Sequence, residues 1–304
     1  MTVLDWIAVD WGTSNQRAWL MAPGGAVIDS RSSDRGMNTL GPEAYESALL
    51  DLVGDALPED RAVPVVICGM AGARQGWREA PYRAVPCAPP GIAEATRVET
   101  ADPRIDVRIL PGIRQDRPAD VMRGEETQIA GIFAAHPGFD GTICLPGTHT
   151  KWVQVSAGEV VSFRTFITGE LFALIEGQSV LRHTLSGGGW DEAAFADAVS
   201  EAISHPARTA ATLFSLRAEA LLHDMPADAA RARLSGTLIG LEIGGARPYW
   251  LGRPVILAGG GALGAAYAAA LGAQGAEVTT LDVRTITLAG LSAARAGMQE
   301  TGGT

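Results

Sequence analysis

The chain of 304 residues is 47% hydrophobic and has a mean hydropathy of +0.12, which is enough apolar content for one large or two ordinary packed domains. Its 34 acidic and 24 basic residues give a net charge of −10, which argues against nucleic acid as the main partner because phosphate backbones require a concentrated basic surface. Three cysteines without C-x-x-C spacing, no basic leader and no apolar run of bilayer length predict a cytoplasmic protein with no membrane partner.

The first half of the chain is predicted to form antiparallel strands followed by helices and buried strands. Tight polar turns separate three apolar runs, and later segments show helical spacing or continuous apolar character. Strands are predicted over 4–12, 16–23, 24–33, 63–72 and 105–112, and helices over 41–57 and 124–138.

The second half repeats this order after residues 137–141. Strands are predicted on both sides of a turn within 142–155 and over 158–167, 254–260 and 276–283, and helices over 170–185, 190–203, 208–224, 227–243, 262–274 and 287–297. The repeat predicts an α/β protein of two similar lobes with mixed sheets and a cleft between them. The N-terminal lobe is expected over 1–138 and the C-terminal lobe over 139–304, with the closing helix free to return to the N-terminal lobe.

The stretch DWGTSNQRAW, residues 10–19, places small polar residues in the turn between the first two predicted strands. The backbone N–H groups and hydroxyls of Gly12, Thr13 and Ser14 could surround an anion such as a phosphate. Asp10 cannot bind phosphate itself, but it can hold a magnesium ion, usually through water. An ordinary hairpin turn uses the same residue types, so this stretch alone leaves both interpretations open.

The stretch LPGTHTKW, residues 145–152, repeats the design in the second half. It contains Lys151, the only lysine among the 24 basic residues. Because the planar fork of arginine does not replace a compact ammonium, the pattern indicates selection for lysine at this position, with chance as the alternative. Two matched hairpins, one in each lobe, would hold a polyphosphate. The donors of this second turn are Gly147, Thr148, His149 and Thr150.

A third glycine-rich turn, VILAGGGALG, has the spacing G-x-G-x-x-G that ends at Gly264. With Asp282 downstream, it imitates a dinucleotide fingerprint. A dehydrogenase domain is excluded because only residues 265–304 follow and the chain begins with antiparallel hairpins. The turn can instead receive an adenosine and its α-phosphate at a helix N-terminus. The residues expected to face the nucleotide are Gly259, Gly260, Gly261 and Leu263.

Two carboxylates, Glu125 and Glu126, begin the predicted helix of MRGEETQIAG. The helix dipole and the free N–H groups of a first turn favour negative charge there. The two glutamates are therefore either capping residues or candidates for a general base that aligns an alcohol for attack on a γ-phosphate.

Loops in the first half carry arginines beside aromatic residues, over 34–40, 68–82 and 110–116. A guanidinium grips a carboxylate through two hydrogen bonds, so the pattern suits a small hydroxylated acid as substrate. Arg78 and Arg83 are interpreted as solvated surface residues. The residues expected to bind the substrate are Arg17, Arg74, Gln75, Trp77, Tyr82 and Arg114.

Taken together, the three turns resemble the two phosphate hairpins and the adenosine motif of the actin/hexokinase/Hsp70 superfamily of ATP-binding phosphotransferases. More narrowly, these turns together with DRGM, GMAGARQGWREAPY, MRGEETQIAG and FRTFITGELF resemble the 2-dehydro-3-deoxygalactonokinase family over nearly the full chain. The resemblance implies two ribonuclease-H-like, or actin-like, lobes with a nucleotide cleft between them.

The resemblance also implies a reaction: transfer of phosphate from ATP, with Mg²⁺, to the 6-hydroxyl of 2-dehydro-3-deoxy-D-galactonate in D-galactonate catabolism. It implies that Asp10 organises the metal and that the two hairpins line the phosphates. It favours Glu126 as the base over Glu125. The second hairpin departs from the superfamily, since Leu145-Pro146 stand where an aspartate is usual. Lys151 would compensate by supplying charge to the transferring phosphate.

Other functions stay open at this point. The chain could be a kinase of another 2-keto-3-deoxy sugar acid, such as the gluco epimer, or a non-catalytic nucleotide-binding sensor. The paired glutamates and the loop arginines argue against a sensor, because a sensor needs no base. The net negative charge argues against a polyphosphate hydrolase, which would need a broad basic channel. The expected partners are ATP and a small sugar acid, and a homodimer is left open.

Overall fold

The computed structural model describes residues 3–187 and 189–296, and its internal contacts divide the chain into two compact units. Unit 1 comprises residues 1–140, 155–162 and 282–304, and unit 2 comprises residues 141–154 and 163–281. Gly297, the last residue of the predicted closing helix, lies outside the described residues.

Strands and helices follow one another in both units. The strands are β1 (Trp6–Trp11), β2 (Gln16–Met21), β3 (Val27–Ser33), β4 (Val63–Gly69), β5 (Tyr82–Ala84), β6 (Thr96–Val98), β7 (Ile105–Ile109), β8 (Gly112–Asp116), β9 (Ala119–Met122), β10 (Gly141–Leu145), β11 (Thr150–Ser156), β12 (Glu159–Phe166), β13 (Val255–Ala258) and β14 (Val278–Leu281). The helices are α1 (Tyr45–Val53), α2 (Glu125–Ala135), α3 (Thr168–Gln178), α4 (Glu192–Ser204), α5 (Thr209–Leu222), α6 (Ala227–Gly245), α7 (Arg247–Trp250), α8 (Gly261–Ala273) and α9 (Val283–Ala296).

The main sheet of unit 1 has the strand order β3-β2-β1-β4-β7-β6. Its central strand β1 pairs antiparallel with β2 and parallel with β4, so that Ile7 lies opposite Leu20 and Val65. Both faces of β1 are covered, one by a cluster that includes Leu49 of α1 and the other by a cluster that includes Leu291 of α9. Burial on both faces explains why residues 6–9 of β1 form a continuous apolar run.

A small second sheet of unit 1 has the order β5-β8-β9 and corrects one expectation. The prediction of a loop over 110–116 is wrong, because β8 occupies most of this stretch. Along β8, Ile113 and Gln115 are buried whereas Arg114 and Asp116 are exposed. This alternation is that of a half-buried strand, but it is short and the prolines on both sides favour a loop in the sequence pattern.

Unit 2 contains a sheet of order β12-β11-β10-β13-β14, in which β10, β13 and β14 are parallel. The helix predicted over 170–185 is shorter than expected, since α3 ends and Ser179 caps a 3-10 turn by accepting the N–H of Leu181. The mixed sheets with covering helices confirm the predicted α/β class. No helix in the described ranges is both long and apolar enough to cross a membrane.

Helices α2 and α9 of unit 1 cross at two glycines. A Cβ on Gly131 would lie 1.8 Å from the carbonyl oxygen of Ile286, and a Cβ on Gly290 would lie 1.8 Å from the carbonyl oxygen of Thr127. Because the atoms that a Cβ would meet belong to the backbone, room for it could be made only by moving one of the two helices. The crossing therefore requires hydrogen in place of a side chain on both helices.

We expect Gly290→Ala to lower the free energy of unfolding by about 1–3 kcal/mol, because the added methyl group overpacks the helix crossing. Chemical denaturation of the purified variant measures this loss. Gly272→Ala on α8 is the matched control, since a Cβ there meets nothing within 4 Å and removal of a helical glycine is neutral or stabilising. Equal stability of Gly290→Ala and the wild type would contradict the crossing geometry.

Candidate functional site

In unit 1 the carboxyl ends of β1 and β4 meet the start of α2 at two glycines whose positive φ angles favour glycine. Gly69, at φ +89°, would carry a Cβ 2.5 Å from the carbonyl oxygen of Trp11. Gly124, at φ +106°, would place a Cβ 3.4 Å from the Cα of Gly69. These contacts bring the acids of β1 and α2 to one edge of the sheet, which is where ligands bind in α/β proteins.

The turn between β1 and β2 is held by residues 35–38. The N–H groups of residues 37 and 38 donate to the carbonyls of Gly12 and Thr13 at 3.1 and 2.9 Å. Gly36 lies so close that a Cβ on it would be 2.3 Å from the carbonyl carbon of Ser14. The exposed N–H groups of Thr13 and Ser14 find no acceptor in the described part of the chain. An ordered turn with free donors is suited to an anion.

Asp10 lies at the end of β1, between Arg17 of β2 and Cys68 of β4. Its Oδ2 is 3.6 Å from Arg17 Nη1, and its Oδ1 is 3.9 Å from Cys68 Sγ. Burial raises the pKa of Asp10, and the positive charge of Arg17 opposes this rise. About a quarter of the side chain is exposed (26%), so the carboxylate can reach a bound ligand. Arg17, expected to bind substrate, is engaged by Asp10.

Glu126 is almost fully buried in the first turn of α2, with 1% of its surface exposed. Its two oxygens accept the N–H of Gly124 at 2.9 and 2.7 Å. Burial, followed by the negative charge of Glu125, raises the pKa of Glu126 to about 8. Glu125 is half-buried and accepts the N–H of Arg123 at 2.9 Å. A carboxyl group with a pKa near neutrality can act as a general base.

The pKa of the Cys68 thiol responds to both Asp10 and Glu126. Burial raises its pKa strongly, and the negative charges of Asp10 and Glu126 raise it further, while a hydrogen bond with Thr127 lowers it. Charges act on a buried group most strongly over short distances. Asp10 and Glu126 therefore both lie close enough to the thiol of Cys68 for their charges to act on it.

Three of the residues expected to bind substrate lie on the surface. Arg74 is 81% exposed and lies 3.5 Å from Glu79, and Gln75 is also exposed. Arg114 on β8 is half exposed and lies 3.2 Å from Asp116. Surface ion pairs of this kind are weak, so both guanidinium groups can exchange their partners for a ligand carboxylate.

Two further residues of this set are packed more deeply. Trp77 stacks on Tyr45 and meets Trp11 edge-on, with ring centroids 6.1 Å apart in both pairs. The ring of Tyr82 is covered by the guanidinium of Arg123, whose Cζ lies 4.2 Å from the ring centroid. Trp77 therefore contributes to the core of unit 1, and Tyr82 supports a buried cation.

Arg123 is a residue of this region that sequence reasoning did not select. It is 9% exposed, and its Nη2 donates to the carbonyl of Ala80 at 2.8 Å. Its Nη1 is buried without a hydrogen-bond partner in the described residues. The absence of a side chain at Gly72 makes room for it, since a Cβ there would lie 2.7 Å from Nη1. Its positive charge lowers the pKa of Glu126. The feature of the sequence that could have indicated Arg123 is its position next to the paired glutamates.

In unit 2 the turn between β10 and β11 packs on the start of α3. A Cβ on Gly169 would lie 2.2 Å from the carbonyl oxygen of Gly147. The N–H of Glu170 donates to the carbonyl of Thr148 at 2.9 Å, and Glu170 Oε2 lies 2.5 Å from His149 Nε2. Thr148 and His149 are exposed. The turn is therefore ordered by α3 while its polar groups stay accessible.

The next two residues of the same stretch are buried. Thr150 is fully buried, and its hydroxyl lies 3.0 Å from the hydroxyl of Tyr267. Lys151 is 6% exposed, and its Nζ donates to the hydroxyl of Thr165 at 2.9 Å. Thr150 thus supports the turn from below, and Lys151 places its charge between β11 and β12.

Glu242 of α6 is a second buried acid that sequence reasoning missed. It is 2% exposed and accepts hydrogen bonds from Trp152 Nε1 and the Tyr267 hydroxyl, each at 2.8 Å. The feature of the sequence that could have indicated Glu242 is that it is the only charged residue in the stretch 234–245. A lone acid on a buried helix needs donors from its neighbours.

The loop between β13 and α8 is closed by an approach of two glycines. A Cβ on Gly264 would lie 2.8 Å from the carbonyl carbon of Gly259. Gly261, at φ +62°, begins α8 after Gly260. Leu263 is 44% exposed. The loop presents a helix N-terminus next to an exposed apolar side chain, which can receive a phosphate and an aromatic base.

No group of three or more His, Cys, Asp or Glu side chains within the described ranges could hold a metal ion by itself. Mg²⁺ usually takes one or two protein carboxylates and completes its coordination with water and substrate phosphates. The single accessible carboxylate of Asp10 beside the free donors of the first turn fits that kind of site.

Comparison with known proteins identifies the family. A family model described as 2-keto-3-deoxy-galactonokinase matches residues 10–294. A curated relative from Rhizobium meliloti (strain 1021), named "Probable 2-dehydro-3-deoxygalactonokinase DgoK1", is 46% identical over 94% of this chain and 95% of its own length. The 2-dehydro-3-deoxygalactonokinase of Escherichia coli (strain K12) is 36% identical over 94% of this chain and 96% of its own length.

Solved structures agree with the sequence matches. A crystal structure from Sinorhizobium meliloti, described as a 2-dehydro-3-deoxygalactonokinase protein, has a TM-score of 0.87 and 44% identity and covers 95% of each chain. The activator of 2-hydroxyisocaproyl-CoA dehydratase from Clostridium difficile has a TM-score of 0.53 and 14% identity, covering 100% of this chain and 98% of its own. The second match shows the fold alone and confirms the expected actin-like class.

The three cysteines, Cys68, Cys87 and Cys144, are all buried, and burial raises the pKa of each thiol. We therefore expect no reaction of the native protein with a disulfide reagent at pH 8, because the thiolate is the reactive form. Absorbance of the released thiol measures this, and unfolding in denaturant should release all three groups. If one thiol of the native protein reacted rapidly and Cys68→Ser abolished that reaction, the result would contradict the burial of Cys68 beside Asp10.

Proposed function

The chain belongs to the 2-keto-3-deoxy-galactonokinase family, and on this basis we propose that it phosphorylates 2-dehydro-3-deoxy-D-galactonate on its 6-hydroxyl. The coarser statement, a sugar-acid kinase that uses ATP, follows from the family and from the actin-like ATPase fold. The observation that carries the proposal for the site is the convergence of Asp10 and Glu126 beside a turn with free N–H donors.

Each of the two hairpin turns would offer donors to the phosphates of ATP. In unit 1 the donors are the N–H groups and hydroxyls of Thr13 and Ser14, in a turn that residues 35–38 hold in place, while the N–H of Gly12 already donates to the carbonyl of Asn15 at 2.8 Å. In unit 2 they are the accessible groups of Gly147, Thr148 and His149. The adenosine would lie at Gly259–Gly261 and Leu263, where the start of α8 provides further N–H groups.

A magnesium ion fits this site through Asp10, because the carboxylate is partly exposed and adjoins the phosphate-binding turn. When bound, the ion would neutralise charge on the phosphate oxygens. Arg17 at 3.6 Å holds the carboxylate in place from the side of β2. Lys151 would add a fixed positive charge for the transferring phosphate from β11, where its Nζ is oriented by Thr165.

Glu126 is proposed as the base, with Glu125 as the alternative. In the reaction the 6-hydroxyl oxygen forms a bond to the γ-phosphorus and the bond from that phosphorus to the bridging oxygen breaks. ADP leaves with the electron pair, and the hydroxyl proton passes to the carboxylate of Glu126. A transition state of this type needs positioning more than early proton removal, so a carboxylate is a sufficient base.

The carboxylate of the sugar acid would be held by Arg74 or Arg114, whose surface ion pairs with Glu79 and Asp116 can open for it. Gln75 would contribute a hydrogen bond to a hydroxyl group. Trp77 and Tyr82 would act from beneath these residues, because both are packed into unit 1.

A coupled ATP-to-ADP assay with Mg²⁺ on a panel of 2-keto-3-deoxy sugar acids and neutral sugars tests the reaction. We expect turnover of the galactonate-derived acid, and a loss of about 100-fold or more in kcat for Glu126→Gln, as for removal of a general base. Glu125→Gln is the matched control and should lose less. ATP binding without turnover on any member of the panel would instead favour a nucleotide-binding sensor, and faster turnover of the gluco epimer would reassign the substrate.

The pH dependence of kcat/KM for the sugar acid gives a second test. The pKa of Glu126 is raised to about 8, and a base must be deprotonated, so kcat/KM should rise with pH towards about 8 and then level off. Because the charge of Glu125 contributes to the raised pKa, Glu125→Gln should move the rise to lower pH. A profile that is flat from pH 6 to 9 in the wild type would contradict Glu126 as the base.

A further inference from the structure

The carboxylate of Glu242 is the common acceptor for side chains from three different elements of unit 2. Trp152 of β11 and Tyr267 of α8 each donate to it at 2.8 Å. The hydroxyl of Thr168 at the start of α3 also hydrogen-bonds to it, and the hydroxyl of Thr150 on β11 joins the network through that of Tyr267. One carboxylate, 2% exposed, therefore ties β11, α3 and α8 to α6.

The direction of these hydrogen bonds is fixed by chemistry. The indole nitrogen of Trp152 can only donate, and an ionised carboxylate can only accept. The hydroxyl of Tyr267 must then donate to Glu242, which leaves its oxygen to accept the hydroxyl of Thr150 at 3.0 Å. The hydroxyl proton of Thr150 is thus directed inwards, and its side chain supports the turn without donating to a ligand.

The three tied elements are those that carry the nucleotide residues of unit 2. β11 follows the turn Gly147–His149 directly. The start of α3 packs on that turn through Gly169, and α8 follows the glycine loop 259–261. No other carboxylate in the described part of the chain accepts hydrogen bonds from side chains of all three elements.

We propose that Glu242 is a positioning residue for the nucleotide. It holds the turn Gly147–His149, the start of α3 and the loop before α8 in one arrangement, acting through Thr150, Thr168 and Tyr267 without touching ATP. This inference rests on the proposed function for the identity of the ligand. It differs from an ordinary core role, because loss of a core contact lowers stability without selecting one substrate over the other.

Two substitutions of Glu242 remove its hydrogen bonds to different extents, so their effects on the use of ATP can be compared. Glu242→Met keeps the volume but removes the acceptor, which leaves one indole N–H and the hydroxyls around it unsatisfied. Glu242→Gln keeps one acceptor oxygen and adds an NH₂ group, which can donate to the oxygen of Tyr267. We expect kcat/KM for ATP to fall by about tenfold or more in Glu242→Met and by less in Glu242→Gln.

The experiment measures KM for ATP and for the sugar acid separately and adds calorimetric titration with ADP. Glu219→Gln is the control: Glu219 on α5 also lies in unit 2, but its partner is Arg233, so nucleotide affinity should not change. Tyr267→Phe removes one hydroxyl and disconnects Thr150 from α8, and it should weaken ADP binding in the same direction as Glu242→Gln.

A rise in KM for ATP with KM for the sugar acid unchanged, matched by weaker ADP binding, supports the proposal. Wild-type KM for ATP in Glu242→Met, or an equal rise in both KM values, overturns it, even if the melting temperature falls. Should Glu242→Met fail to fold, Glu242→Gln and Tyr267→Phe decide by the same criteria. If the wild type binds ADP but phosphorylates no sugar acid, the proposed function fails, and the titration still tests Glu242.

Discussion

The position of α2 depends on contacts between backbones, and the candidate site of unit 1 depends on α2. At one end Gly124 meets Gly69, and along its length Gly131 meets the carbonyl of Ile286 on α9. The contact at Gly131 cannot be adjusted by rotating a side chain, because only hydrogen separates the two helices, and Gly124 has a φ of +106° that other residues rarely adopt. These contacts fix where the first turn of α2 lies, and with it the distance from Glu126 to the ends of β1 and β4. A substitution far from the paired glutamates can therefore move them.

Among the described residues each unit contains one buried glutamate, and the surroundings of the two glutamates differ in a way that matches different roles. Burial raises the pKa of Glu242, but the hydrogen bonds that it accepts from several side chains lower the pKa and hold the carboxylate in one orientation. Burial and then the negative charge of Glu125 raise the pKa of Glu126 to about 8, and the N–H that Gly124 donates to it only partly opposes this rise. The side-chain donors around Glu242 suit a residue that supports its neighbours. The pKa of Glu126 near 8 suits a residue that takes up and releases a proton.

The short turns could be predicted from the sequence because their chemistry is local. A turn such as Gly12–Ser14 requires small residues with free N–H groups, and these are visible in ten residues of sequence. The buried groups could not be found in the same way. Whether Thr150 faces a ligand or the core, and whether Arg123 is buried, is decided by chains that pack from distant positions, as Tyr267 and Ala80 do. The strand β8 was missed because its alternation spans only a few residues between prolines.

The chain order of unit 1 has a consequence for synthesis on the ribosome. Helix α2 is made early, but the helix that receives its glycine face, α9, follows the last strand of unit 2. Until Gly290 has left the exit tunnel, the face of α2 around Gly131 has no partner, and unit 1 remains incomplete. The early segment must therefore stay soluble without its partner for most of translation, and this is the period in which a chaperone would be of most use to it.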